Sequence, residues 1–147
     1  MIQRWRFRRS LRSERGAALV EFGLVLPFLM LIMCATIDFG LAMYTLNNLT
    51  AAVREGGRYA AAKEGTPTTN DQLVIDRVYS YIAFIGSSQS PTQVKSTIST
   101  SYDALSGLIT VKITGYQYKP LTPLAPFFGL GVIPMNRSAI FRWERSS

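Results

Sequence analysis

Histidine is absent from these 147 residues, and cysteine occurs once, as Cys34. Without imidazole there is no histidine base, no histidine metal ligand, and no Ser–His or Cys–His pair. A single cysteine excludes an internal disulfide and any multi-cysteine metal site. Asp71, Asp76 and Asp103 are scattered, and no nucleophile has a recognisable base beside it. The sequence therefore points away from an enzyme and implies no cofactor and no metal. The length suits one domain, and the mean hydropathy is positive, +0.14, which asks for a membrane segment.

Acidic residues are almost missing from the N-terminus. Arg4, Arg6, Arg8, Arg9, Arg12 and Arg15 face only Glu14 there, so a tail of +5 precedes a body carrying the remaining +2 of the net +7. A nucleic-acid-binding arm is one reading of such a tail. The next segment favours the other, a cytoplasmic anchor on anionic lipid with no nucleic-acid partner. From Ala17 to Ile37 the chain runs AALVEFGLVLPFLMLIMCATI, with Glu21 its single charge and Asp38 closing it. Such a helix rises roughly 31 Å, about the hydrocarbon thickness of a bilayer. By the positive-inside rule the arginines stay cytoplasmic and everything after Asp38 lies across the membrane.

The small residues Gly16, Ala17 and Ala18 precede the apolar run rather than follow it. A cut after a secretory signal falls on the far side of the apolar region; a cut here removes the basic leader and keeps the helix. The stretch Arg15-Gly16-Ala17-Ala18-Leu19-Val20-Glu21-Phe22 resembles a type IV prepilin processing site. Together with Pro27 in LVLPFLML, IDFG at 37–40 and AAVREGGRYAA at 51–61, it resembles a TadE-like pseudopilin of the tight-adherence (Tad/Flp) pilus system, over about residues 14–62.

The resemblance implies that a prepilin peptidase cuts between Gly16 and Ala17, with Glu21 and Phe22 as the recognition and assembly residues. A glycine at the cut suits a protease that engages extended peptide, because it leaves the backbone accessible; alone, it reads equally as a helix-start glycine. Glu21 lies one helical turn from the amine that cleavage would create at Ala17. It can pair with its own amine or a neighbouring subunit's, the latter being what the resemblance implies, or it can snorkel to the headgroups. Pro27 removes one helical hydrogen bond, which predicts a kink near residues 23–27. The resemblance also implies as partners other pilins and pseudopilins and an inner-membrane assembly platform, beside the lipid bilayer itself.

Beyond Gly40, Ala42, Leu46, Leu49, Val53, Gly56 and Ala60 form a single helical seam spaced by fours and threes. Part of it is expected on the protein's own sheet and part on another subunit. Arg54, Glu55, Gly56 and Arg58 are a candidate subunit interface, or the three charges are a solvated face. Gly65-Thr66-Pro67 ends the helix. A second helix is expected from Asp71 to about Phe84. Strand signals follow around Val94 to Tyr102, at Ile109, Val111 and Ile113, and at about Met135 to Glu144, with Arg137 a mismatch on the inner face. Lys119 to Pro134 holds four prolines and the apolar Leu121, Leu124, Phe127, Phe128 and Leu130, a loop over the core or an exposed patch.

The expected fold is α+β: a long N-terminal transmembrane helix extending into a small pilin-like domain with a three-stranded antiparallel sheet. Its expected layout is a basic leader over 1–16, a transmembrane helix over 17–39, an extracytoplasmic helical extension over 40–64 and a small α+β domain over 65–147. The expected role is a minor pseudopilin in the bacterial inner membrane, N-terminus cytoplasmic. The alternative is an uncleaved signal-anchored protein whose outer domain is a binding module.

Overall fold

The computed structural model describes residues 11–63, 65, 68–85, 87, 89–122, 129 and 131–143. The leader up to residue 10 and most of the Pro-rich segment after Thr122 lie outside them. The first helix, α1, spans Leu11–Ala62, 52 residues without a break in its assignment. At ~1.5 Å per residue it extends roughly 78 Å.

Past Ala62, Asn70 adopts a positive φ of 56° in the turn that leads into α2, Gln72–Ile82. Asp71 caps α2 by accepting from the Leu73 amide, and its other oxygen receives Lys63 Nζ at 2.5 Å. One carboxylate thus ties the end of α1 to the start of α2. A short helix, α3, spans Pro91–Ser96. Here the expected strand around Val94 is corrected. Ser90 and Gln93 form a reciprocal capping box with Pro91 in the first turn, a combination that specifies helix start. The strand β1 then spans Ile98–Asp103, β2 Leu108–Tyr118 and β3 Ile133–Arg142.

The sheet order is β1-β2-β3, antiparallel throughout. The register between β2 and β3 shifts between Ile113 and Tyr116, where Gly115 adopts a φ of 77° and donates its amide to Asn136 Oδ1. This one-residue bulge keeps Ile113 and Tyr116 both on the buried face. β3 begins at Ile133, two residues earlier than expected, and so takes in Pro134; an edge strand tolerates a residue without an N–H.

The outer half of α1 and all of α2 pack on one sheet face. Leu49, Ala52, Val53, Val78, Val111, Ile113 and Tyr116 form the centre of this core. Gly56 and Gly57 let the layers meet. A Cβ on Gly56 would lie 2.3 Å from Val78 Cγ2, and one on Gly57 would lie 2.0 Å from the Phe141 ring. Arg137, the apparent mismatch of β3, donates through Nε to Thr50 Oγ1 at 3.2 Å and through Nη1 to the Asn136 carbonyl. Its side chain thus lies along the flank of α1 with polar partners.

Candidate functional site

The two halves of α1 differ in what surrounds them. Residues 16–33 are all exposed, Phe22 at 60 % and Leu19, Leu24 and Phe28 similarly. This is the one helix among the described residues long and apolar enough to cross a membrane, and none of its apolar window is buried by the chain. Burial starts at Thr45, whose hydroxyl is satisfied by the Leu41 carbonyl, and continues through Leu49, Ala52 and Val53. Exposing a run of large apolar side chains to water is costly at ~25 cal/mol per Å². A bilayer removes that cost and leaves the helix's backbone hydrogen bonds satisfied internally.

Gly16 and Ala17 lie inside this helix, which starts at Leu11, and a Cβ on Gly16 would meet nothing within 4 Å. Packing within the chain therefore does not require glycine at 16, nor at 23. Ala17 and Glu21 are one turn apart on the same face, as i,i+4 spacing dictates. Among the described residues Glu21 has no ion-pair partner, and both Glu21 and Phe22 are exposed. Pro27 sits within the continuous helix, where its ring withholds the bond that the Gly23 carbonyl would receive. Thr36 returns its hydroxyl to the Ile32 carbonyl at 2.8 Å, which hides its polarity from an apolar solvent. Cys34 is a free, partly buried thiol.

Arg54, Glu55, Gly56 and Arg58 are divided by the fold. Gly56 faces inward against Val78 and Val111 and is taken up by the domain itself. Glu55 receives Arg77 at 3.3 Å and lies 3.9 Å from Arg58. Arg77 also lies over the rings of Tyr81 and Tyr59, at 5.6 and 6.0 Å. Arg54 and Arg58 are exposed. The seam packs on the protein's own α2 and sheet, with Leu49, Val53 and Ala60 buried and Ala42 and Leu46 partly buried. Gly57 belongs with Gly56, and the Gly-Gly pair was its signal in the sequence; only the packing shows that it seats Phe141.

Asp38 has a role that sequence reading missed. Its Oδ1 accepts from the amides of Leu121 and Thr122, at 2.9 and 3.1 Å, and its Oδ2 accepts from the Thr122 hydroxyl. Tyr118 donates its hydroxyl to the Asp38 carbonyl at 3.4 Å. Burial, and then the Asp38 carboxylate, push the Tyr118 phenol above its usual range. The partners lie more than eighty residues apart in the chain, which is why no local pattern announced them.

Among the described residues no cluster of three or more acidic, cysteine or histidine side chains is placed to hold a metal. One bare apolar helix leading into a small α+β domain is consistent with a membrane-anchored protein. Residues 16–58 match the profile of the family described as TadE-like protein. The match starts at Gly16, takes in the whole bare segment and ends just past the Gly56-Gly57 pair. Over that segment, under a third of the chain, the sequence is similar to the TadE-like family. No curated protein and no solved structure matches the chain.

Proposed function

We propose that the chain is a minor pseudopilin of a Tad/Flp-type pilus, cut by a prepilin peptidase between Gly16 and Ala17 and assembled through its N-terminal helix. It sits in the inner membrane with its arginines cytoplasmic and its domain outside. One observation carries this reading. Gly16, Glu21, Phe22, Gly23 and Pro27 cluster on a helix half that touches nothing in its own chain, yet this half belongs to the segment matching the family. A glycine in a helix interior costs ~1 kcal/mol relative to alanine, and an intramembrane carboxylate ~2.5–3.5 kcal/mol near the helix centre, less near an interface. Residues that cost stability without internal compensation are explained by what acts on the chain from outside. A peptidase accounts for Gly16, and a neighbouring subunit's new amine accounts for Glu21.

Mass spectrometry of the protein from its native host should show a chain beginning at Ala17. A full-length chain in a host with active peptidase overturns the reading and favours the uncleaved binding module. Glu21→Gln should insert and be cleaved but fail to restore surface pili in a complementation assay. Normal piliation by that variant rejects pairing at Glu21.

A further inference from the structure

Asp38 stands where the apolar run of α1 ends, and three donors from the start of the Pro-rich segment converge on its carboxylate. This puts the backbone of Leu121 level with the last turn of the bare helix. The Leu121 side chain is 73 % exposed, next to the exposed Lys119, and Ile37 and Phe39 flank Asp38 with exposed apolar surface of their own. Three cross-contacts give the domain's orientation along α1. Tyr118 meets Asp38, Arg137 meets Thr50, and Phe141 meets Gly57. From Asp38 to Gly57 the helix rises roughly 28 Å. The strand β2 runs the same course in reverse, from Leu108 at the far end to Tyr118 at Asp38. The β1–β2 turn with Leu105, 99 % exposed, is therefore at the end of the domain remote from the bare helix.

We propose that the domain docks on the bilayer surface, with Asp38 as the latch that holds Leu121 in the boundary between headgroups and acyl chains. The ligand is lipid: Leu121 meets the upper acyl region and Lys119 the phosphates, as interfacial anchors do. Continuity with the membrane helix selects this occupant over a protein partner, because Asp38 sets Leu121 at the depth where the span ends. The three donors also serve Asp38, since a carboxylate leaving bulk water must have its acceptors filled. The domain thus stands on the membrane at a fixed height rather than swinging from a flexible stalk. This inference rests on the membrane-anchor reading and is independent of cleavage and pilus assembly.

The test uses the full chain in vesicles of phosphatidylcholine and phosphatidylglycerol, with acyl chains brominated near the headgroup. Trp5 and Trp143 are replaced by Phe, and Leu121→Trp is compared with Leu105→Trp. Emission from position 121 should be blue-shifted and quenched at least about twofold more than from 105. Adding Asp38→Ala should bring quenching at 121 down toward the level at 105, while Asp38→Asn, which keeps an acceptor for the two amides, should retain most of it. Circular dichroism checks that each variant is folded. Equal quenching at 121 and 105 in a chain that floats with the vesicles overturns the docking alone. Quenching unaffected by Asp38→Ala overturns the latch. A folded chain that does not float with vesicles overturns the membrane anchor together with the docking.

Discussion

The two halves of α1 share one unbroken backbone and a similar abundance of small and apolar residues, yet they answer to different solvents. In the outer half four small residues of α1 have partners within the chain. Gly56 admits Val78, Gly57 admits Phe141, and Ala52 and Ala60 are buried in the core. In the inner half no side chain between residues 16 and 33 is covered, and Gly16 and Gly23 make room for nothing in the chain. The same residue type therefore carries opposite meanings. A glycine that a neighbour fills is a packing residue, and its replacement is felt in the fold. A glycine with open space around it is free in the fold, and its replacement is felt only by whatever meets the helix from outside.

Core truncation should separate the halves most strongly. Leu49 is fully buried, so Leu49→Ala should lower the domain's unfolding free energy by about 2–5 kcal/mol in denaturant titrations. Leu24→Ala, in the exposed half, should leave that transition in place. A comparable loss from Leu24→Ala would mean that the inner half has partners within the chain. Glycine substitution comes next. Gly57→Ala drives a Cβ into the Phe141 ring, and overpacking of about 1–3 kcal/mol outweighs the ~1 kcal/mol gain in helix propensity. Phe141→Leu should relieve part of the loss, a coupling that a double-mutant cycle would read. Gly16→Ala should leave domain unfolding unchanged and act on processing instead. A cleavage product from Gly16→Ala at the normal rate would show that the peptidase does not need the glycine.

The smallest effect belongs to the joint between α1 and α2. The hydrogen bond from Lys63 holds the Asp71 carboxyl below its usual range, against the opposing effect of burial, with help from the Leu73 amide. A depressed carboxylate pKa stabilises the fold at pH above the unfolded value near ~3.9, and that contribution disappears as pH falls through the folded value. Asp71→Asn keeps the cap but not the charge. It should cost about 1 kcal/mol or less at neutral pH and flatten the acid limb of stability below about pH 4. An unchanged acid limb would show that Lys63 and Asp71 do not interact in solution.

Much of the architecture was legible because it is written in local patterns. Twenty-one residues with one charge can only be a long apolar helix, the 4-3-4-3-4 seam marks which face of its extension is buried, and alternating Ile109, Val111 and Ile113 mark a half-buried strand. The family match covers the same local segment, residues 16–58. The alternation through Val94 misleads, because the Ser90–Gln93 capping box, an equally local signal, starts a helix there. Local pattern also stops short at Arg137, which looks misplaced until Thr50 is found beside it.

The sequence by itself determined the bare helix, its length, its charges and the residues that cost stability there, because a membrane span is a one-dimensional object whose solvent is uniform along each face. Only the tertiary structure decided what the outer domain does with its small and polar residues. Gly56 is taken up by the chain's own packing, with Val78 and Val111 against it. Asp38 closes the apolar run and also clasps Leu121 and Thr122. Such pairings join positions tens of residues apart. They depend on the register of β2 along α1, which is set by the packing of the whole core and is carried by no single segment.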